Sequence, residues 1–314
     1  MPDRTHWTVA LDETAAAWNT LEWMDANVAN GDSVRLLTVQ EHFGDTRERS
    51  ASRLTLAEHH LESRHRDLRI ERVVTDGPTI ERLLRDATPA DVLVIGGRRS
   101  DRIWAALTGR IAERVIAHAT MPVVVVPERW RRKHDADAIV TGVDSRTAAD
   151  ALAFAAGRAE RTRDGLVLVR AWEPPTSVSP FGLVYLERDR PLWEHEAQLE
   201  LDAAIRAVGR SHPDLRMRGE LRQGRPSEVL QRAAASAALI VIGRRHRSAL
   251  DAFLAGSVGE VLLHRAQTPV CVVPDRSSQS DGASRSTDPV VNQERRRRRS
   301  TEPTAVAQED GQAG

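Results

Sequence analysis

The residues best suited to chemistry lie in one stretch of the second half of the chain. Gly243 and His246 are followed, after nine residues, by Gly256 and Ser257, which open a predicted helix over Val258–Arg265. Glycine lets the backbone approach an anion closely, and a helix N-terminus offers free N–H groups and the positive end of its dipole. This spacing and the Ser257 hydroxyl are typical of a phosphate site, although a glycine turn with a serine N-cap has the same sequence.

An aspartate follows the first strand predicted for each half of the chain, Asp12 in the first half and Asp144 in the second. Beyond a strand end, a carboxylate can accept hydrogen bonds from a base or a ribose hydroxyl, or it can cap the next helix. In open α/β sheets, ligands bind beyond the carboxyl ends of the strands, where the winding direction reverses. We therefore expect Asp144 and Gly243 to line such a crevice.

Other kinds of chemistry find little support in the residue types. Lys133 is the only lysine and stands in a charged stretch, which argues against a Schiff base or a P-loop lysine. Cys271 is the only cysteine and lies in an apolar strand pattern, so neither an internal disulfide framework nor a cysteine zinc site can form. His60 and His65 are not four residues apart, and we interpret them as part of a solvated helix face rather than a metal site. Because no nucleophile–base pair or acidic metal cluster stands out, the sequence predicts no enzyme.

Charge and hydropathy restrict the partners. The chain has 45 basic and 45 acidic residues, so no global field recruits nucleic acid or an anionic membrane. No apolar run approaches the roughly 20 residues of a membrane span, and the N-terminus does not resemble a secretory signal, so we expect a cytoplasmic protein. The run Arg295–Arg299 is flanked by comparable acidic charge. We interpret it as a solvated tail, with contact to nucleic acid or an acidic partner as the alternative.

The chain contains the same domain twice. At a shift of 132 residues, Asp12 aligns with Asp144 and Leu36–Val39 with Leu168–Ala171. At a shift of 147, the matches are Gly77 with Gly224, Val94–Gly96 with Val241–Gly243, Gly109 with Gly256, and Pro122–Pro127 with Pro269–Pro274. The difference between the shifts, 15 residues, indicates an insertion in the second copy, which we place within Pro174–Trp193.

Each copy alternates continuous apolar strands with amphipathic helices, which predicts a parallel sheet covered on both faces. The expected fold class is α/β, with two tandem doubly wound (Rossmann-like) domains that each hold a five-stranded parallel sheet. The expected boundaries are domain 1 at 1–128, a linker at 129–137 and domain 2 at 138–275. Residues 276–314 contain almost no large apolar side chains, so a disordered tail is expected there.

Both copies resemble the universal stress protein (UspA-like) domain, from about residue 5 to 275. The segments that carry the resemblance are Val140-Thr-Gly-Val-Asp144-Ser145, Gly224-Arg-Pro226, Leu239-Ile-Val-Ile-Gly243, Gly256-Ser257-Val258 and Thr268-Pro-Val-Cys-Val-Val-Pro274. Nucleotide-binding members of that family carry glycine, two residues, glycine, nine residues, glycine, then serine or threonine. Here His246 stands at the second glycine, where its side chain replaces an open approach of the backbone.

The resemblance implies a site for ATP in the second copy. Asp144 would contact the adenosine, Ala171 and Ile242 would flank the base, and Gly256, Ser257 and Val258 would hold phosphates. In the first copy, Arg99 replaces the second glycine and Arg110 the hydroxyl residue, so a degenerate site is expected there. We also considered that Arg244, Arg245 and Arg247 compensate for the change at His246, or are merely exposed.

The leading interpretation is a tandem universal stress protein that binds ATP without catalysis and regulates a stress response. The alternative is an interaction module that binds no nucleotide, and weak ATP hydrolysis is the most that the residues would allow for an enzyme. Family domains pair through their fifth strands, so we expect Val123–Val126 to lie beside Val270–Val273 in a pseudo-twofold arrangement, with a homodimer as a further form of pairing.

Overall fold

The computed structural model describes residues 4–40, 46–97, 105–133, 135–145, 147, 149–174, 176–179, 182–185, 190–244 and 258–275. The tail expected at 276–314 lies outside the described residues. Short apolar strands and amphipathic helices alternate along the described chain, as the sequence predicts. The strands form one ten-stranded sheet, and two further strands form a separate hairpin.

The first copy contains five strands and four helices in strict alternation. In chain order they are β1 (His6–Ala10), α1 (Ala15–Asn27), β2 (Ser33–Gln40), α2 (Arg47–Glu62), β3 (Arg69–Asp76), α3 (Thr79–Ala87), β4 (Val92–Gly97), α4 (Ala105–His118) and β5 (Val123–Pro127). The strands run parallel in the order β3-β2-β1-β4-β5, so the winding direction reverses between β1 and β4.

The second copy repeats this order with one addition. Its elements are β6 (Ala138–Gly142), α5 (Ala149–Thr162), β7 (Gly165–Trp172), β8 (Thr176–Ser179), β9 (Gly182–Tyr185), α6 (Arg190–Ser211), β10 (Met217–Gln223), α7 (Pro226–Ala233), a 3-10 turn (Ala234–Ser236), β11 (Leu239–Arg244), α8 (Val258–Arg265) and β12 (Val270–Pro274). The antiparallel pair β8–β9 lies inside the predicted insertion, where the sequence had indicated no strands.

The two copies join through their fifth strands, which confirms the expected pairing. Strands β5 and β12 are antiparallel, and Val124 lies opposite Cys271. These two residues are also equivalent in the repeat, because they are separated by the shift of 147. The pseudo-twofold axis therefore passes through this pair. Each fifth strand is apolar and would otherwise be an open edge, so the pairing covers both edges at once.

Both faces of the sheet carry a core that is continuous through the two copies. Helices α1, α2, α5 and α6 cover one face with Leu21, Leu54, Phe154 and Leu201. Helices α3, α4, α7 and α8 cover the other with Leu83, Ile116, Leu230 and Leu262. Cys271 is fully buried in the first of these cores, and burial raises the pKa of its thiol, in agreement with its interpretation as a small core residue.

A buried polar cluster also links the copies. The carboxylate of Asp32, in the first copy, accepts hydrogen bonds from the Thr5 and Ala29 N–H groups and from Trp7 Nε1. Arg161 of α5 completes it, with Nη2 at 2.8 Å from Oδ1. Burial alone would raise the pKa of Asp32, but these hydrogen bonds outweigh it and hold the pKa below the ordinary 3.8.

Beside this cluster, Arg158 of α5 is only 2% exposed. Its guanidinium lies 5.4 Å from the centroid of the Trp7 ring and donates to the Asn27 side chain at 2.6 Å. Burial lowers the pKa of Arg158 to about 10, so the group stays charged at neutral pH. Two cations of the second copy are thus stabilised by acceptors and an aromatic ring of the first.

The paired carboxylate predicts how stability depends on pH. Because the pKa of Asp32 is lower in the folded chain, its contribution is present above about pH 4 and is lost as the pH falls through the folded pKa. Asp32→Asn should cost about 3 kcal/mol at neutral pH, because it leaves Arg161 without its buried partner. It should also flatten the loss of stability on acidification, measured by urea unfolding at neutral pH and near pH 3.

Asp164 is the matched control, because it is the equivalent aspartate at the shift of 132. Burial raises its pKa above the ordinary 3.8, so it favours folding at acidic rather than neutral pH. Asp164→Asn imitates the protonated form and should cost little at neutral pH. Equal losses in the two variants would contradict the assignment of the buried pair to Asp32.

Candidate functional site

The winding direction of the second copy reverses between β6 and β11. The chain leaves β6 toward β7 and β10 on one side, and later returns to β11 and β12 on the other. The carboxyl ends of β6, β7 and β11 therefore lie together at one end of the strands. We call this end of the sheet in the second copy the candidate edge. This is the position at which open α/β sheets bind ligands.

The strand register brings three of the sequence-predicted residues to this edge. Gly142 is paired with Val169, and the Val143 N–H donates to the Val169 carbonyl at 2.9 Å. Asp144 follows β6 in the turn beyond its end, and Ala171 lies two residues past Val169 near the end of β7. Thr141 is paired with Val241, which brings Ile242 level with Gly142. Gly243 follows as the penultimate residue of β11.

The floor of this edge is apolar and closely packed. Ala171 and Ile242 are buried in the core on the α7–α8 face, and Val258 at the start of α8 packs against the same core. Helix α7 lies directly over the end of β6, because a Cβ on Gly142 would come within 2.8 Å of the Leu230 side chain. The sequence analysis did not identify Gly142 and Leu230, since their contact joins residues far apart in the chain.

Asp144 is held in the turn that follows β6. Its N–H donates to Thr147 Oγ1 at 2.7 Å, and the Thr147 hydroxyl lies 3.1 Å from Asp144 Oδ1. In the first copy, Asp12 accepts the Thr14 N–H at 2.9 Å. Both aspartates therefore take the local turn role that the sequence left open. A carboxylate has about four acceptor positions, so this role is compatible with accepting a ligand hydroxyl as well.

The phosphate side of the predicted site is described only in part. Gly243 and Val258 lie at the end of β11 and the start of α8, as the sequence predicts. His246, Gly256 and Ser257 lie outside the described residues, so their positions stay predictions. Arg245 and Arg247 lie outside them as well.

The first copy differs from expectation at the equivalent of Ser257. Helix α4 spans Ala105–His118, so Gly109 and Arg110 lie inside the helix rather than at its start. Backbone N–H groups past the first turn bond to carbonyls within the helix and are not available to an anion. The expectation of an arginine at the helix start is therefore wrong, because the helix begins earlier than the repeat indicates.

The Arg244 guanidinium is bound to backbone carbonyls of the first copy and does not take part in the predicted phosphate site. It is buried, and its Nη1 donates to the Ile116 and Ala119 carbonyls, at 2.5 and 2.8 Å, where α4 of the first copy ends. Burial lowers its pKa, and the carbonyls at the helix end compensate the charge. The suggestion that Arg244 replaces a lost phosphate contact is thus not supported. Its counterpart in the first copy is Gly97, where a Cβ would come within 2.7 Å of Val125.

A cation and an aromatic ring flank the outer side of the same edge. Trp172 is the last residue of β7, and the Arg190 guanidinium lies 5.9 Å from its ring centroid. Arg190 also donates to the Gln223 side chain at 3.0 Å, at the end of β10. The sequence analysis missed this contact, because Arg190 lies in the stretch assigned to the insertion and its partners Trp172 and Gln223 are distant in sequence. Across all the described residues, no helix is long and apolar enough to span a membrane.

Comparison with known proteins identifies the family. A sequence model described as the Universal stress protein family matches residues 5–127 and 136–274. A universal stress protein of Mycolicibacterium smegmatis is 28% identical over 204 residues, which cover 63% of this chain and 67% of that protein. The crystal structure of a universal stress protein from Archaeoglobus fulgidus DSM 4304 superposes with a TM-score of 0.63 at 16% identity, covering 86% of this chain and 96% of that one.

The same fold occurs in another setting. The cytoplasmic domain of a prokaryotic cation chloride cotransporter superposes with a TM-score of 0.54 at 10% identity, over 87% of this chain and 96% of that one. At such identities the structural likeness shows the fold alone. The assignment of the family therefore depends on the two matched segments, which together cover most of the chain. This chain belongs to the universal stress protein family and carries two copies of the family's domain in tandem.

Proposed function

We propose that the second copy binds an adenine nucleotide, ATP, and that the protein acts as a non-catalytic regulator of a stress response. The observation that carries the proposal is the arrangement at the switch point, where Asp144 lies in the turn just after β6 and Ala171 and Ile242 lie near the ends of the neighbouring strands β7 and β11. The edge thus offers an acceptor beside a buried apolar floor. Those are the two properties that a nucleoside requires of its site.

Each part of the nucleotide has a group that suits it. The flat base fits against the small Ala171 side chain and Ile242, both of which belong to the α7–α8 core. The Asp144 carboxylate accepts from a ribose hydroxyl. The phosphates would meet the backbone at Gly243 and Gly256 and the N-terminal end of α8, where N–H groups favour an anion.

The second copy is favoured over the first because Arg110 stands in the first copy at the position equivalent to Ser257. In the first copy α4 already begins at Ala105, so the position equivalent to Ser257 lies within a formed helix. Its N–H groups bond to helix carbonyls and offer no anion site. Asp12 and Val39 keep the adenosine side of the motif in the first copy, but its phosphate side is altered. We therefore expect about one nucleotide per chain.

Binding without turnover fits the arrangement around Asp144. The Thr147 hydroxyl lies beside the Asp144 carboxylate, to which it donates, and it accepts the Asp144 N–H. Both contacts belong to the turn between β6 and α5, and they engage the hydroxyl in local hydrogen bonds. The proposal therefore includes no chemical step.

The second candidate is an interaction module that binds no nucleotide. Its support is His246, which stands where nucleotide-binding relatives carry glycine, together with the occurrence of the same fold in a cotransporter domain. Because a fold hosts many functions, the fold does not choose between the candidates. The choice depends on whether the protein binds ATP.

Titration calorimetry with the full chain tests the adenosine side. Asp144→Ala should weaken ATP and adenosine alike, by about tenfold, which corresponds to the loss of one hydrogen bond to a charged group. Asp12→Ala is the matched control, because it removes the equivalent carboxylate of the first copy, and should leave binding unchanged. If binding is lost in Asp12→Ala but kept in Asp144→Ala, the nucleotide binds to the first copy and the proposed assignment to the second copy is wrong.

Stoichiometry and a second variant test the phosphate side. Equilibrium dialysis should give about one ATP per chain, and ATP should raise the melting temperature. Gly256→Asp places an anion where phosphates approach, so it should weaken ATP much more than adenosine. If ATP neither binds nor shifts the melting temperature of the unaltered protein, the interaction module replaces the nucleotide-binding regulator as the proposed function.

A further inference from the structure

Three potential metal ligands meet on the surface of the first copy, between α1 and α2. Glu22 and Asp25 lie three residues apart on α1, and His60 lies near the end of α2. Their ligand atoms all lie within 4.8 Å of one another. His60 Nε2 is 3.4 Å from Glu22 Oε1. We call Glu22, Asp25 and His60 the α1–α2 cluster.

A second histidine orients one of these ligands. His65 Nε2 lies 2.9 Å from Asp25 Oδ1 and 3.1 Å from the Asp25 carbonyl oxygen. A carbonyl can only accept, so Nε2 carries the proton and donates toward Asp25. Metal-binding carboxylates are typically held by such outer hydrogen bonds, which fix their direction.

A cation already occupies the side of the cluster that faces solvent. Arg64 Nη1 lies 3.1 Å from His60 Nδ1 and 3.3 Å from His60 Nε2, and Arg64 Nε lies 3.6 Å from Asp25 Oδ2. Guanidinium has no lone pair, so it can only donate to the ring and to the carboxylate. The imidazole and the carboxylate thus converge on one positive charge. The Arg64 side chain is 49% exposed, so it can move aside without unpacking the core.

Comparison with the second copy distinguishes the cluster contact that both copies share from the residues that only the first copy has. There, His212 lies 2.9 Å from Glu160 of α5, which repeats the contact between His65 and Asp25. At the shift of 147, His60 aligns with Ala207, and at the shift of 132, Glu22 aligns with Phe154 and Asp25 with Gly157. The histidine–carboxylate contact therefore belongs to the fold. Glu22 and His60 are additions for which the packing of the helices has no requirement.

We propose that the α1–α2 cluster is a binding site for a divalent transition-metal ion, with Zn²⁺ as its representative. Glu22, Asp25 and His60 supply two carboxylates and one imidazole, and water completes the coordination. An imidazole ligand favours zinc, nickel or copper over magnesium and calcium. Glu22 is 51% exposed, which gives the ion a path from solvent. His65 holds Asp25 in the ligating orientation.

The sequence analysis interpreted these histidines as a solvated helix face. That interpretation considered pairs on one helix, and His60 and His65 do not have the required spacing. The cluster becomes visible only when α1 and α2 pack side by side, because two of its ligands come from the other helix.

Zinc titration of the full chain, without a histidine tag and without nucleotide, tests the site. Calorimetry should give one zinc ion per chain at the cluster, and His60→Ala should weaken it by at least about tenfold. His59→Ala is the matched control, because this exposed neighbour on α2 lies outside the cluster, and should leave the affinity unchanged. Alanine is tolerated at this helix position, as Ala207 of the second copy demonstrates, so a folding defect is not expected.

Two further measurements make the test specific. Arg64→Ala removes the competing cation and should tighten zinc binding, which a merely structural ion pair would not predict. The Trp18 ring lies against His60 with ring centroids 5.5 Å apart and the planes tilted by 44°, so nickel at the cluster should quench its fluorescence, and Trp18→Phe should remove that signal. Zinc affinity that is absent from the unaltered protein, or that stays unchanged in the His60→Ala and Glu22→Gln variants, overturns the proposal. None of these results depends on ATP binding.

Discussion

The antiparallel pairing of β5 with β12 is the constraint on which the rest of the molecule depends. A single domain of this kind ends its sheet with an apolar fifth strand whose backbone groups are open to any passing strand. When two such edges pair, the open backbone N–H and C=O groups of both strands form hydrogen bonds, and the core on each face of the sheet continues from one copy into the other. Val124 pairs with its own counterpart Cys271. The duplicated chain therefore forms within itself a strand pairing that would otherwise require two separate chains.

That pairing also determines where the candidate sites lie. Since β5 and β12 run in opposite directions, the carboxyl ends of the strands in the two copies point to opposite edges of the sheet. The candidate edge of the second copy therefore lies beside the amino-terminal edge of the first, where α4 ends. Arg244 uses this proximity, because its guanidinium reaches the Ile116 and Ala119 carbonyls across the boundary.

Within this symmetric frame, the two copies have diverged at charged positions. Asp32 is paired with Arg161 and has a lowered pKa, whereas its equivalent Asp164 has a raised one. Glu22 and His60 correspond to Phe154 and Ala207. The buried apolar positions keep the fold in both copies, so substitutions at the helix surfaces and strand ends could accumulate in one copy without loss of the shared sheet.

The sequence predicted what is repeated and missed what is particular to one copy. Apolar runs and the two shifts were sufficient for the repeated strands and helices of a doubly wound sheet, because the same pattern occurs twice. The pairing of Val123–Val126 with Val270–Val273 was expected from the family resemblance. The hairpin β8–β9 has no counterpart to compare, so its strands were not recognised. The position of Gly109 within α4 was missed because its counterpart Gly256 precedes the helix predicted over Val258–Arg265, and this predicted boundary was transferred to the first copy.

Side chains that act across the boundary were the hardest to interpret. Arg244 stands in a run of arginines next to Gly243, and its position in sequence favours a role toward phosphate. Its buried guanidinium instead bonds carbonyls at the end of a helix more than a hundred residues away, and the cost of its desolvation is offset there. The contact fixes the last residue of β11, at the point where the chain leaves the sheet toward His246. Support for the candidate edge of the second copy therefore comes from the first copy, and the two domains form one structural unit rather than two independent modules.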